Sequence, residues 1–407
     1  MHIIPITALT HQVENKDTRT SASDSPSFTT LPPLSLYIHF PWCVRKCPYC
    51  DFNSHEAKGA IPEAEYLAAI RADIAQSLPL IWGRRVQTIF IGGGTPSLLS
   101  AAGVDRLLAD VRALLPLNAD AEITLEANPG AVDAEKFRSF RASGVNRLSL
   151  GVQSFDDVHL KTLGRIHSSA QARAAIDIAQ QCFNNLNIDL MFALPGQSLA
   201  QSMSDVEQAL SYAPNHLSCY QLTLEANTLF AKYPPSLPDD DSAFAMQEAI
   251  EMRLAQAGFI HYEVSAYARQ EQFCKHNLNY WRFGDYLGIG AGAHGKISFS
   301  DRIIRQVKHR HPRSYIDAAL NGNAVQTEHA LLAQDIPFEF MLNAMRLHRG
   351  VPLASFSHHT GLPLTILLPK LEVAQQKGLI ERDLSILKPT PLGQRFLNDL
   401  QAIFLPD

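Results

Sequence analysis

The sequence predicts an α/β protein, a partial (β/α)6 barrel followed by a mainly helical, winged-helix-like C-terminal domain. Three observations predict it. Six short runs rich in β-branched and apolar residues alternate with helical patterns: LSLYIHF (34–40), VQTIFIG (86–92), EITLEA (122–127), RLSLGV (147–152), NIDLMF (187–192) and HLSCYQL (216–222). Such alternation builds βα units on a parallel sheet. Between the first two runs, Tyr66, Ile70, Ile74 and Leu78 recur every four residues, which gives a helix one apolar stripe to lay on that sheet. From about Asp335 the pattern turns mainly helical and ends in KLEVAQQKGLIERDLSILKPTPLGQRFL, a helix, two short strands and a helix.

In chain order, residues 1–32 are rich in Ser, Thr, Asp and Pro without an apolar period and are expected to form a mobile tail. Residues 33–265 hold the six units and a helix ending near Ala257, after the Pro- and Asp-rich break YPPSLPDDD (233–241). Six units are two short of a closed eightfold barrel, and ligands of such folds gather at the carboxyl ends of the strands. Residues 266–334 are expected as an auxiliary segment, with the Gly- and aromatic-rich stretch HNLNYWRFGDYLGIGAGAHGKI (276–297), and 335–407 as the C-terminal domain. GAGAHG (290–295) matches GxGxxG, but a β-like KISFSDRII follows where a dinucleotide-binding turn needs a helix, so a tight loop is expected.

Composition narrows the classes. The 46% hydrophobic and 18% charged content is that of a globular protein, and 407 residues are ample for a large core. Thirty-five basic against 40 acidic side chains give a net charge of −5, opposite to the balance of a nucleic-acid binder. No window of 18 apolar residues occurs, and the first residues lack the basic and apolar regions of an export signal, so a cytoplasmic protein without a transmembrane segment is expected.

Of six cysteines, Cys43, Cys47 and Cys50 fall within CVRKCPYC, directly after the first strand. Three thiols so spaced can converge on one object. Three thiolates on a [4Fe–4S] cubane leave one iron open for another ligand, whereas structural zinc would need a fourth ligand such as His39, His55 or a distant cysteine. Gly93, Gly94 and Thr95 end the second run, where glycines let a backbone come close to a ligand, with a tight turn as the alternative. Glu126, Gln153, Arg165 and Asp189 fall at or near the ends of later runs, although Arg165 and Asp189 could simply pair with each other.

A CxxxCxxC after the first strand of a βα repeat resembles the radical S-adenosylmethionine (SAM) superfamily. Within it, YIHFPWCVRKCPYCDFNS, GGGTPS, LEANP, GVQSF, GRIH and DLMFALPGQ, in that order, resemble the oxygen-independent coproporphyrinogen oxidase group over residues 34–407. The resemblance implies a [4Fe–4S] cluster on Cys43, Cys47 and Cys50. It also implies SAM contacts from Tyr37, Tyr49, Gly93, Gly94, Thr95, Glu126, Gln153, Arg165 and Asp189, some of them to a second SAM. The oxidases of the group carry a further cysteine, CxxxCxxCxC, where this chain has Phe52. The chain resembles instead the heme-chaperone branch, marked by HNxxYW, here His276, Asn277, Tyr280 and Trp281. Imidazole and phenol oxygen both serve as axial ligands to heme iron, which fits His276 and Tyr280, although such residues also occur as ordinary core. His309, His311, His358 and His359 are expected on solvated loops.

The implied function is a heme chaperone that binds heme, a [4Fe–4S] cluster and SAM, and hands heme to an acceptor hemoprotein such as a respiratory enzyme, compatible with peripheral contact at a membrane. This leans away from enzymatic turnover. The alternatives are a radical SAM oxidoreductase, such as a coproporphyrinogen III dehydrogenase, and a zinc-stabilised interaction protein.

Overall fold

The computed structural model describes residues 25–406. The six expected strands form where their apolar runs lie: β1 (Leu34–Phe40), β2 (Val86–Gly93), β3 (Leu117–Ala127), β4 (Arg147–Gln153), β5 (Leu186–Phe192) and β6 (His216–Gln221). They stand side by side in that order, all parallel. Each connection carries at least one helix, among them α1 (Glu63–Ile81), α2 (Ala101–Leu114), α3 (Ala134–Ser143), α4 (Asp157–Thr162), α5 (Ser169–Cys182) and α6 (Leu199–Ser211). Tyr66, Ile70 and Ile74 of the α1 stripe are buried with Leu36, Ile38 and Phe40 of β1 in one large core cluster, and Leu78 is half-buried at its margin.

Local chemistry fixes several helix starts. Ser168 and Ser198 each accept the N–H of the third helical residue, Gln171 and Gln201, whose amide oxygens accept the serine N–H in return. Alanine at either serine is expected to cost about 1 kcal/mol. Denaturant midpoints at unchanged slope would read this, and an unmoved midpoint would show the cap to be dispensable.

The segment expected to be auxiliary joins the same sheet. After α7 (Asp240–Gln256), β7 (Ile260–Glu263) and β8 (Ala266–Ala268) pair antiparallel at the β6 edge. Beyond α8 (Lys275–Trp281), β9 (Asp285–Ile289) returns to the far side of β1, parallel to it, and β10 (His294–Ser298), β11 (Ile303–Lys308) and, after α9 (Pro312–Leu320), β12 (Val325–Ala330) continue antiparallel. The result is a twelve-stranded sheet in the order β12-β11-β10-β9-β1-β2-β3-β4-β5-β6-β8-β7. GAGAHG is the tight loop between β9 and β10, as expected. Gly290 (φ +106°) has no room for a Cβ, which would come within 2.3 Å of the His39 carbonyl.

Two buried ion pairs hold this extension to the core. Asp285 at the head of β9 meets Lys296 Nζ at 3.0 Å and Arg84 at 2.8 Å, and accepts from Ser298 N and Oγ. Asp73 of α1 meets Lys308 Nζ at 2.6 Å and the Tyr315 hydroxyl at 2.8 Å.

The C-terminal part, with α10 (Ile336–Ala344), α11 (Ser355–Thr360), α12 (Leu368–Gln376) and α13 (Leu397–Ala402), builds its own cluster around Phe340, Met341, Phe356, Leu371 and Phe404. Short strands Val351–Pro352 and Ile386–Leu387 pair antiparallel within it. Of the expected tail, residues 1–24 lie outside the described residues. The rest is held, because Ser27 N donates to Gly361 O, Phe28 N donates to Ser300 O, and the Phe28 ring packs on the C-terminal cluster. His358 and His359 also depart from a solvated loop, both lying in α11, His358 exposed and His359 with Nδ1 against the Arg282 carbonyl.

Candidate functional site

The strands alternate in a way that separates two faces. Leu36, Ile38, Ile89, Ile91, Leu125, Leu148, Leu150, Ile188 and Leu217 face the helices and are buried in the core. The residues between them, Ser35, Tyr37, His39, Thr88, Glu122, Thr124, Glu126, Arg147, Ser149, Asn187, Asp189, His216 and Ser218, give the other face a polar lining. We call this the inner face; buried parallel strands are ordinarily apolar on both sides.

The cysteine loop lies across its carboxyl end. Trp42–Cys43 pairs with His55–Glu56, Cys50 N donates to Cys47 O, and Ala57 N donates to Cys43 O. Asn53 anchors the loop by donating to the carbonyls of Ala291 and Arg310, both at 2.9 Å, and its own carbonyl accepts from His39 Nε2 at 2.9 Å. His39 Nδ1 in turn accepts the Tyr37 hydroxyl at 2.8 Å, so both of its nitrogens are engaged. Burial lowers its pKa to about 4, and the ring is neutral. His55 sits edge-on to His311. Among the described residues no three or more His, Cys, Asp or Glu side chains stand close enough together to hold a single metal ion. The three half-buried thiols nonetheless share one neighbourhood. Burial raises Cys43 and Cys50, with repulsion from the other thiols adding to it, and the Arg165 guanidinium approaches Cys47 Sγ at 3.8 Å. Three such thiols on one loop beside a fixed cation suit an anionic thiolate-held cluster.

The strand ends carry the other expected residues. Gly94 packs so closely that a Cβ would lie 2.5 Å from the Trp42 carbonyl, and Gly93 (φ +110°) lies against the His39 ring. Their lack of side chains therefore serves the seat of the cysteine loop directly, with Gly94 N donating to Phe40 O and Thr95 N to Trp42 O. Gly93 N donates to Glu126 Oε2 at 3.2 Å. Burial, reinforced by Asp189, lifts the Glu126 carboxyl to about 8. Gln153 ends β4 with φ +70°, a left-handed conformation that is unfavourable for a non-glycine residue. Just beyond it, Asp205 of α6 fixes the turn by accepting Ser154 Oγ and Phe155 N. Arg165 and Asp189 do not pair. Arg165 donates to Gly151 O at 2.7 Å, whereas Asp189 accepts from Ser149 Oγ at 3.0 Å and Asn187 Nδ2 at 2.8 Å. Tyr49 packs on Phe230 of the short helix Leu229–Lys232, whose backbone is tied to Pro48 O.

HNxxYW lies on α8, under the amino-terminal part of the same face. Spacing of four puts His276 and Tyr280 on one side of the helix, with rings 4.9 Å apart, while Trp281 turns to the C-terminal cluster under Arg346. Glu122 on β3 fixes the helix start by accepting the N–H groups of Lys275 and His276. His276 Nδ1 meets Thr88 Oγ1 at 2.8 Å and its ring lies 5.1 Å from Phe90, which also stacks on Tyr37. Its Nε2 has no partner, and burial lowers its pKa to about 3. A neutral imidazole with one nitrogen held and the other free is the state that ligates metal.

Strand-by-strand reading missed Glu122, Arg147, Thr88, Asn53 and Asp205. For the first three the signal was present as the polar member of each alternating pair, as in T-I-F, E-I-T-L-E and R-L-S-L; Asn53 and Asp205 act from a loop and a helix through contacts remote in sequence.

The radical SAM superfamily model matches residues 37–209, and the HemN C-terminal domain model matches 331–396. Heme chaperone HemW of Escherichia coli is 49% identical over 379 residues, covering 93% of this chain and 99% of that protein. Its Haemophilus influenzae counterpart is 45% identical over 93% and 99%, and that of Bacillus subtilis 34% over 91% and 99%. The solved structure of coproporphyrinogen III oxidase (HemN) from E. coli shares the fold, with a TM-score of 0.78 over 92% of this chain and 90% of that one, at 23% identity. With relatives this similar along nearly their full length, and with a cysteine loop seated over a polar sheet face, the chain belongs to the HemW heme-chaperone family of radical SAM proteins.

Proposed function

We propose that the chain binds heme against the inner face, with His276 Nε2 as an axial ligand and Tyr280 beside it, and passes heme to an acceptor hemoprotein. The observation that carries this reading is the buried His276 imidazole, neutral, held through Nδ1 by Thr88 and unpartnered at Nε2 between two aromatic rings. The family supports it through its chaperone relatives. Cys43, Cys47 and Cys50 would hold a [4Fe–4S] cluster. Tyr37, Tyr49, Gly93, Gly94, Thr95, Glu126, Gln153, Arg165 and Asp189 would contact SAM at the strand ends. Together the two groups supply one-electron chemistry when bound. Phe52, 60% exposed at the lip of the loop, offers no further thiol there, which favours the chaperone over the dehydrogenase. No helix among the described residues is long and apolar enough to cross a membrane. The proposed setting is the cytoplasm, with heme handed to an acceptor, such as a respiratory enzyme, at a membrane surface.

Titrating hemin into the anaerobically reconstituted protein is expected to give a saturable Soret band at about one heme per chain, weakened or shifted in His276→Ala, and apo-acceptor is expected to discharge it. An unchanged spectrum and affinity in His276→Ala would remove the axial-ligand assignment. No heme binding by the wild type would remove the chaperone reading.

The SAM contacts make a separate prediction. A ligand that donates hydrogen bonds to Glu126 binds its ionised form, and that carboxyl titrates near 8 in the free protein. SAM affinity is therefore expected to rise with pH up to about 8 and then level, and Glu126→Gln to flatten this limb. Calorimetric titrations from pH 6 to 9 test it, and identical profiles for both proteins would take Glu126 out of the site.

A further inference from the structure

The proposed function leaves one charged group of the inner face unused. Arg147 begins β4 and is only 2% exposed, yet no carboxylate among the described residues stands within ion-pairing distance of its guanidinium and its Nε has no partner. Burial opposes its charge and Cys274, Glu122, Tyr262 and Asp189 favour it from beyond contact distance, but a buried guanidinium with no directly bonded acceptor leaves N–H donors unsatisfied, which is unfavourable. The neighbouring acids are committed elsewhere. Glu122 accepts from the start of α8 and from Cys274 Sγ, and Asp189 accepts from Ser149 and Asn187. The Tyr262 hydroxyl is taken by His216 and Cys274 N.

The orphaned atoms are grouped. Thr124 lies beside Arg147 in the β3–β4 register, and its Oγ1 is buried without a partner. The unpartnered Nε2 of His276 belongs to the same neighbourhood, its helix resting on Glu122 two residues before Thr124. Buried polar atoms are nearly always satisfied, so a guanidinium and a hydroxyl left open side by side, next to a nitrogen that the proposed function gives to iron, indicate a missing acceptor of negative charge.

We propose that Arg147, with the Thr124 hydroxyl, receives a carboxylate of the ligand bound on the inner face, namely a propionate arm of the tetrapyrrole. This rests on the heme-binding reading and adds to it a determinant of which tetrapyrroles are accepted. A planar guanidinium takes a carboxylate through two parallel N–H bonds, and a hydroxyl beside it supplies a third. A tetrapyrrole whose propionates are esterified keeps its iron and its apolar faces and loses only this charge.

The test compares hemin with hemin dimethyl ester on the full-length reconstituted protein, wild type and Arg147→Gln. The expected result is that wild type binds hemin about tenfold or more tighter than the ester, the range of a charge-assisted hydrogen bond, and that Arg147→Gln binds both about as the wild type binds the ester. Equal affinity of the wild type for the two compounds overturns the proposal without recourse to any variant, and would leave the orphaned atoms to internal water. A preference for hemin that survives in folded Arg147→Gln also overturns it, as does a variant that loses SAM affinity while keeping that preference, because the carboxylate would then belong to SAM. If neither hemin nor its ester binds to wild type, the heme reading itself falls, and with it this proposal.

Discussion

Asp285→Ala is expected to destabilise the protein by about 3–5 kcal/mol, the cost of breaking a buried ion pair from one side. The carboxylate is fully buried between Lys296 and Arg84, with Ser298 donating twice, so its removal leaves two cations in a low-dielectric site without an anion. The consequence is also one of pH. Burial alone would push the Asp285 carboxyl up, but the two cations hold it below the usual carboxylate range. Its folded pKa thus lies under the unfolded value of about 3.9, so its contribution is complete above that value and is lost as pH falls through the folded one. Equilibrium unfolding in urea at pH 7 and across the acid range below about pH 4 reads both effects. A midpoint shift worth less than about 1 kcal/mol in the variant would show that the ion pair is not holding β9 and β10 to the core.

The second large effect concerns the cysteine loop. Replacing Cys43, Cys47 and Cys50 together by serine is expected to abolish iron–sulfur absorbance and bound iron after anaerobic reconstitution, from roughly four irons per chain to none. Thermal unfolding of the two cluster-free proteins should agree, because the loop is seated by backbone bonds, Asn53 and His39 rather than by thiols. Retained iron in the variant would sink the assignment. Hemin titration of the same pair asks whether heme binding depends on the cluster. Unchanged affinity in the variant would assign heme to α8 and the sheet alone.

Much of this architecture was legible because the parallel strands are short, apolar runs whose limits coincide with turns, and the cysteines form a local pattern. What escaped reading is long-range. That β9 pairs with β1 depends on partners far apart in sequence, and DYLGI carries no mark of its neighbour. The alternative of an Arg165–Asp189 ion pair is excluded for a similar reason, since Arg165, in the loop after α4, donates to Gly151 O of β4 and Asp189 accepts from Ser149 and Asn187. Gly93 and Gly94 also lie against the His39 ring and the Trp42 carbonyl, an approach with no mark in the sequence. A glycine signals close approach, but whether to a ligand or to backbone is decided by what the fold brings there. The polar periodicity inside apolar strands was the underused signal, since it announces a lined face rather than a core.

The placement of β9 also bears on synthesis. One edge of β1 is covered by β2 soon after emergence, but Leu34 must wait for Asp285 on the other. Roughly 250 residues separate them, so at 5–20 residues per second that edge stays uncovered for about 12–50 s on the ribosome. Throughout that interval an apolar strand offers its free amide and carbonyl groups to any other extended chain, so the nascent protein passes through an aggregation-sensitive stage that ends only when the segment just after HNxxYW docks.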